Sequence, residues 1–440
     1  MIVILGGGPA GRLASIRLAS AGKQVTLIEH GGIGGQCLHS GCMPVCALND
    51  VARHIHSARE LHDLGVVDRV PVPNFPVLLK QMREIQEKIT SILDEETRSA
   101  GVDIIYGKTG RLSGGTVYAG EEELKAEAVI AATGSRPHLP AIAGIDLPGV
   151  FTSRTLPMMK KIPEKMVIIG GSVVAAEFAY IFSTFGCEVT ILSRSTFLKD
   201  ADKHIRALAI RELADVTIRE NTPVTSIDGN DRVESVQIPG GQPGADAVFL
   251  AAGLVPNSEV LEGVKKGSLG EVIVDNHMRT SLADVYACGD VVGPPYLTPV
   301  ARHQGIVAAD NILGIPRSMD YKNIPRSINL THELAYCINE TDSMGSLTIP
   351  GPAGPGSFWS VPTGQTGLAK VIFNPETGEL GGFCAAGPDG GLVAGYMSFL
   401  MKEHFTVHDF EEFIEVHPST DGVYGIAKYA SSLIRKRNNS

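Results

Sequence analysis

Residues 2–29 read IVILGGGPAGRLASIRLASAGKQVTLIE, and residues 166–193 read MVIIGGSVVAAEFAYIFSTFGCEVTILS. The two stretches lie on each other without a gap, at a constant offset of 164 residues. Gly6 meets Gly170, Gly22 meets Gly186, and Val25-Thr26 meets Val189-Thr190. Each copy is an apolar strand, a tight turn, a helix rich in small residues and a second apolar strand. That succession is a βαβ unit. A chain that uses it twice is an α/β protein with two Rossmann-like, dinucleotide-type domains.

Between the copies, residues 73–101 place apolar side chains at helical spacing (Phe75, Leu78, Leu79, Met82, Ile85, Ile89, Ile92, Leu93) and end on Gly101, a C-cap. Residues 247–252 and 285–287 read as short buried strands. Beyond about residue 319 the texture changes. Residues 328–338 and 367–373 read as strands of a mixed sheet, and 392–403 and 423–437 as helices. The Gly- and Pro-rich residues 345–367 read as loop. Three domains are expected: residues 1–145 joined with 246–318, residues 146–245, and a separately folding α+β domain over 319–440.

Composition narrows the function. A formal net charge of −10 argues against gripping nucleic acid, whose phosphates reward the opposite sign. The longest apolar candidate, residues 167–182, is interrupted by Gly170, Gly171 and Glu177, so no membrane insertion is expected. Met1 runs into a strand with no basic leader, and a cytoplasmic location is the default expectation. Of seven cysteines, Cys37, Cys42 and Cys46 crowd together, whereas Cys187, Cys288, Cys337 and Cys384 stand alone in apolar segments. In a reducing compartment such a cluster indicates redox chemistry or metal, not a structural staple.

In the first copy, Gly6, Gly8 and Gly11 form G-x-G-x-x-G between strand and helix, and Glu29 ends the second strand. The glycines allow a tight turn and let a pyrophosphate approach the helix N-terminus, while Glu29 can accept from a ribose hydroxyl. Two further segments follow strands: Ala131-Ala132-Thr133-Gly134-Ser135 and Tyr286-Ala287-Cys288-Gly289-Asp290. With them the chain resembles the FAD-dependent pyridine nucleotide–disulfide oxidoreductases, the family of dihydrolipoamide dehydrogenase, glutathione reductase and mercuric reductase. The resemblance runs from residue 1 to about 435, with the motifs in the family's order. It implies FAD as cofactor, with Thr133, Gly134 and Asp290 completing its site and Asp290 holding the ribityl chain.

Gly34-Gly35-Gln36-Cys37-Leu38-His39-Ser40-Gly41-Cys42-Met43-Pro44 resembles the family's redox-active disulfide segment. In a straight helix two residues five apart have Cα atoms roughly 8 Å apart, beyond the reach of a disulfide. A turn through Ser40-Gly41 shortens this, and Pro44 suits the first turn of a following helix. A cysteine at a helix start has its thiolate stabilised. By resemblance, Cys37 attacks substrate and Cys42 lies against the flavin. A zinc site of Cys37, Cys42, Cys46 and His39 is a second reading, although these spacings are not paired C-x-x-C knuckles. The family's lysine, usual three or four residues after the second cysteine and paired with the glutamate that is Glu177 here, is replaced by Val45 and Cys46. Cys46 reads either as an inert core cysteine or as a third redox thiol.

The second copy reads Gly170-x-Ser172-x-x-Ala175, and Ser193 stands where the first copy has Glu29. An acid there would repel a 2′-phosphate; instead Arg194 and Lys199 follow, which favours NADPH over NADH. Residues 252–257, with Gly253, resemble the family's G-R-x-P-N turn, with Leu254 in the arginine's place. Near the C-terminus Val416-His417-Pro418-Ser419-Thr420-Asp421 resembles the family's H-P-T segment. This implies a homodimer in which His417 serves the partner's site as acid/base. Gly422 stands where the family has the orienting glutamate, and Asp421 is the candidate substitute. The expected activity carries electrons from NAD(P)H through FAD to Cys37–Cys42 and on to a small-molecule or protein disulfide, or the reverse with a dithiol. Two rivals remain at this stage: a dehydrogenase reducing a quinone or other acceptor at the flavin, and a non-catalytic electron-transfer or redox-sensing flavoprotein subunit.

Overall fold

The structure, a computed structural model, describes residues 1–339, 347–352, 367–417 and 419–438. Both sequence repeats fold as read. The first gives strand Ile2–Leu5, helix α1 (Pro9–Ser20) and strand Val25–Glu29. The two strands run parallel in register from Ile2 beside Val25 to Leu5 beside Ile28. They sit inside a five-stranded parallel sheet in the order Val285–Ala287, Ala128–Ala131, Ile2–Leu5, Val25–Glu29, Val102–Tyr106. The central strands Ile2–Leu5 and Ala128–Ala131 are continuous buried apolar runs, as expected of strands inside a parallel sheet.

Helices α2 (Gly35–His39), α3 (Cys42–Asp63) and α4 (Phe75–Ser99) follow before the sheet resumes. Helix α4 spans the region read as helical, and Gly101 beyond it adopts φ +91°, the left-handed conformation that a C-cap glycine supplies.

The second repeat gives strand Lys165–Ile169, helix α5 (Val173–Thr184) and strand Glu188–Leu192, again parallel, from Lys165 beside Glu188 to Ile169 beside Leu192. Its sheet has the order Val216–Arg219, Glu188–Leu192, Lys165–Ile169, Ala247–Leu250, Val150–Phe151, and helix α6 (Lys203–Glu212) packs against strand Glu333–Ile338 of the C-terminal region. Phe178 and Phe182 of α5 are buried with Leu48 of α3 and Phe75 and Met82 of α4 in one apolar cluster. The cysteine-bearing helix α3 is thus clamped against the second repeat.

Helix α7 (Thr298–Ile312) returns to the first sheet and packs on α1. The small residues of α1 now have a reason: a Cβ at Gly305 would collide with the carbonyl of Ala10, so the two helices touch backbone to backbone. The C-terminal region is an antiparallel sheet in the order Arg326–Asn329, Glu333–Ile338, Leu380–Gly387, Leu368–Phe373, Leu347–Gly351, covered by α8 (Gly390–Lys402) and α9 (Gly422–Asn438).

Two expectations fail here: the C-terminal sheet is antiparallel, not mixed, with residues 328–338 divided between Arg326–Asn329 and Glu333–Ile338, and the loop reading holds only in part. Residues 345–367 are not all loop, because Leu347–Gly351 pairs antiparallel with Leu368–Phe373. Edge pairing satisfies its backbone despite Pro350 and Gly351, which sequence pattern alone reads as breakers. Residues 345–346 and 353–366 of that segment lie outside the described residues. No helix among the described residues is long and apolar enough to cross a membrane.

Candidate active site

The glycine turn of the first repeat is built for close backbone approach. Gly6 has φ +107°, and a Cβ on Gly11 would strike the Gly6 carbonyl oxygen. Gly8 stands at the start of α1, whose first N–H groups receive no side-chain cap. Those free donors and the helix dipole form an anion seat. Glu29 spans the turn, accepting the Gly7 N–H at 2.6 Å and the Gly31 N–H at 2.7 Å. Its carboxylate therefore holds the turn closed as well as standing at the strand end where a ribose would lie.

The other predicted flavin residues converge on the same end of the sheet. Gly134 has φ +70°, and the Thr133 hydroxyl donates to the Asn257 carbonyl at 2.7 Å. The Asn257 amide donates back to the Thr133 carbonyl at 2.9 Å. Asp290 accepts from the Ser135 hydroxyl at 2.7 Å, and burial pushes its carboxyl up from the ordinary range. The Gly289 N–H is fixed by Gln304 Oε1 at 2.8 Å. Gly253 (φ +106°) accepts from the His138 N–H at 2.9 Å, tying the strands on either side of the site together. A cradle with an uncapped helix, glycines that exclude a Cβ and a fixed acid fits FAD.

The cysteine pair is stitched to that cradle. The Gly34 N–H donates to the Gly7 carbonyl at 2.9 Å, and a Cβ on Gly35 would collide with the Gly8 backbone. Cys37 lies in α2 and Cys42 begins α3. The break at Ser40-Gly41 brings them near each other, with Pro44 in the first turn of α3. Both are thiols here. Interaction with Cys42, with Thr298 and Arg302 adding to it, lowers Cys37 to about 6, while interaction with Cys37 and burial raise Cys42. A thiolate is thus favoured on Cys37 over Cys42.

Thr298, the first residue of α7, places its hydroxyl 3.4 Å from Cys42 Sγ. Sequence reading missed it because it lies 256 residues from Cys42, although Thr298-Pro299 carries a helix-start signature. His39 turns away from the pair, its Nε2 lying 3.2 Å from the Ile33 carbonyl. Among the described residues no three His, Cys, Asp or Glu side chains converge as a metal site.

Cys46 is exposed, so the reading of it as a core cysteine does not hold. Glu177 is buried on α5 and meets no lysine. Its Oε1 accepts the backbone and side-chain N–H groups of Asn329, each at 3.0 Å. Nothing in the sequence marks Asn329, which the third sheet delivers from 152 residues away.

In the second repeat Gly170 has φ +139° and would place a Cβ on the Ala251 carbonyl. The buried Ala175 stands where the first copy needs Gly11, so α5 tolerates a methyl that α1 does not. The Ser172 hydroxyl donates to the Ala251 carbonyl at 3.3 Å, which leaves the α5 N-terminus uncapped. Ser193 is buried, and a Cβ at Gly171 would meet its hydroxyl, as a Cβ at Gly7 would approach Glu29. Arg194 and Lys199 are exposed on the turn beyond that strand. In the C-terminal region His417 is exposed, and its Nδ1 lies 2.5 Å from Asp421 Oδ2. Pro418 lies outside the described residues.

A nucleotide cradle on each repeat, with a polarised dithiol stitched to the first, defines a flavin-linked disulfide oxidoreductase. Residues 1–305 match the family model of pyridine nucleotide-disulphide oxidoreductases, and the chain belongs to that family. It is 29% identical to a dihydrolipoyl dehydrogenase of Vibrio parahaemolyticus, over 97% of this chain and 94% of that one. It is 30% identical to a dihydrolipoyl dehydrogenase of Chlamydia trachomatis, over 96% and 94%. The flavoprotein disulfide reductase RclA from Escherichia coli superposes with a TM-score of 0.86 at 25% identity, over 97% and 99% of the two chains. The protein is an FAD-dependent NAD(P)H:disulfide oxidoreductase. The comparisons favour neither the quinone-reducing reading nor that of an electron-transfer subunit.

Proposed function

We propose that the chain works as a cytoplasmic homodimer that moves two electrons from NADPH through FAD to Cys37–Cys42, and then by thiol–disulfide exchange to a disulfide substrate. The observation that carries this reading is geometric: Cys37 and Cys42 stand on either side of the break between α2 and α3, and the Gly34 N–H to Gly7 carbonyl bond stitches their segment to the flavin cradle. When bound, FAD supplies the two-electron carrier between nicotinamide and disulfide. Cys37 attacks the substrate disulfide, and the mixed disulfide is resolved by Cys42. The reverse direction, oxidation of a dihydrolipoyl-type dithiol, uses the same groups.

His417 is the acid/base, oriented by Asp421, and it acts on the partner's cysteines. Its exposure supports this, as does the apolar strip around it: Leu392, Tyr396 and Phe399 on one face of α8, with Ile414 and Val416, are exposed on the isolated chain. Anaerobic titration tests the reading. Uptake of about four electrons per flavin is expected, from two two-electron couples. Uptake of two, unchanged in Cys37→Ser, would overturn it.

NADPH is the nicotinamide favoured by Ser193, Arg194 and Lys199. Replacing Arg194 or Lys199 with Glu is expected to weaken binding of 2′,5′-ADP on the order of tenfold each, by loss of a charge-assisted contact, and to leave ADP binding unchanged. Calorimetry on the two ligands decides between the cofactors.

A further inference from the structure

The turn between strand Glu188–Leu192 and α6 carries Arg194 and Lys199, both exposed, with Phe197 and Leu198 buried between them. Its middle is fixed within the second repeat. The Leu198 N–H donates to the Gly171 carbonyl at 2.8 Å, and the Phe197 N–H donates to Glu220 Oε1 at 2.6 Å. Arg206 of α6 donates to the Phe197 carbonyl at 2.7 Å and meets the same Glu220 oxygen at 2.6 Å.

The end of the turn is held from the C-terminal sheet. Tyr336, Cys384 and Lys370 are register partners on three adjacent strands, so their side chains share one face. All three reach residues 200–202. The Tyr336 hydroxyl donates to the Asp200 carbonyl at 3.4 Å, and Cys384 Sγ lies 3.7 Å from Asp202 Oδ1. Lys370 Nζ donates to Asp202 Oδ2 at 2.5 Å and lies 3.4 Å from His204 Nδ1. Asp202 divides its oxygens, because Oδ1 caps α6 by accepting the His204 and Ile205 N–H groups at 2.9 and 3.4 Å. The side chains of Lys370 and Asp202 are 4% and 9% exposed. Burying such a pair costs desolvation of both charges, and apolar residues of the same volume would often stabilise the seam as well. Its distinctive effect is geometric: a cation on one sheet fixes the last residue of a turn on another.

We propose that Lys370 is a positioning residue for the nicotinamide cofactor, a role that rests on the NADPH reading above. By pinning Asp202 it holds residues 194–202 in place, so that Arg194 and Lys199 meet a 2′-phosphate without first being ordered. A turn fixed in advance loses little conformational freedom on binding, whereas a loosened one loses it at that moment and binds more weakly. ADP lacks the 2′-phosphate, does not draw on these cations, and so reports the rest of the cradle.

Calorimetry of the holoenzyme with 2′,5′-ADP and with ADP, beside thermal denaturation, tests this. Lys370→Met leaves the Asp202 charge buried without its cation, and a loss of thermal stability is expected. Combining it with Asp202→Asn removes both charges while asparagine keeps the α6 cap, and stability is expected to return toward wild type. In both proteins 2′,5′-ADP is expected to bind about tenfold more weakly, with ADP unchanged. The proposal is overturned if the double variant keeps the wild-type ratio of 2′,5′-ADP to ADP affinity, whatever its stability. A wild-type protein that binds 2′,5′-ADP no more tightly than ADP overturns the NADPH reading itself, a result separate from the first.

Discussion

Cys37→Ser is expected to abolish turnover of disulfide substrates, by about three orders of magnitude or more, while NAD(P)H still reduces the flavin. The size follows from the role. The hydroxyl of serine is not ionised near neutral pH and cannot form the mixed disulfide through which exchange proceeds. Flavin reduction needs only the two nucleotide cradles, whose residues the substitution does not touch.

The companion variant separates the nucleophile from its activation. Cys42→Ala removes the S–H donor that is the largest cause of the lowered Cys37 thiol. In the reduced wild type, alkylation of Cys37 rises as pH passes about 6, because the thiolate is the reactive form above that point. In Cys42→Ala the rise is expected to shift upward, toward the ordinary thiol range near 8.5. Iodoacetamide labelling across pH, read at the Cys37 peptide, checks both statements. An unshifted profile would show that Thr298 and Arg302, the other groups that favour the Cys37 thiolate, are sufficient without the partner thiol.

The second large effect lies in the flavin cradle. Gly11→Val places a branched side chain where even a Cβ would strike the Gly6 carbonyl oxygen and crowd the Ala132 side chain. Helix α1 must then move away from its strand, which opens the glycine turn that receives the pyrophosphate. A loss of about 3 kcal/mol of stability is expected from overpacking, together with protein that purifies without flavin. Visible flavin absorbance relative to protein and thermal denaturation measure the two parts. Ala175→Val at the equivalent point of the second repeat is expected to cost less, because a methyl is already accommodated there. A Gly11→Val protein that retained full flavin at wild-type stability would show that the close approach is not what the cradle requires.

Much of this protein was legible because its decisive features are local. Each βαβ unit is written within 28 contiguous residues, and strand, turn and helix periods are properties of neighbours along the chain. Glycines at forced conformations announce themselves, as Gly6, Gly134, Gly170 and Gly253 do by φ values that L-residues rarely adopt. The Cys37–Cys42 contact was legible for the same reason, since a helix break at Ser40-Gly41 is a local event.

What resisted reading was long-range. Leu347–Gly351 is a strand only because Leu368–Phe373 offers it an edge, a pairing that outweighs the unfavourable Pro350 and Gly351. The sequence by itself determined the doubled βαβ plan, the glycine cradles and the spacing that closes a cysteine pair. Only the tertiary structure decided how that pair is tuned: that Cys42 is raised while Cys37 is lowered, that Thr298 attends the pair, and that Asn329 stands where a lysine was expected to meet Glu177. The physical reason is that proton affinity depends on burial and on the few groups within hydrogen-bond or Coulomb reach, and here folding draws those groups from segments more than a hundred residues away.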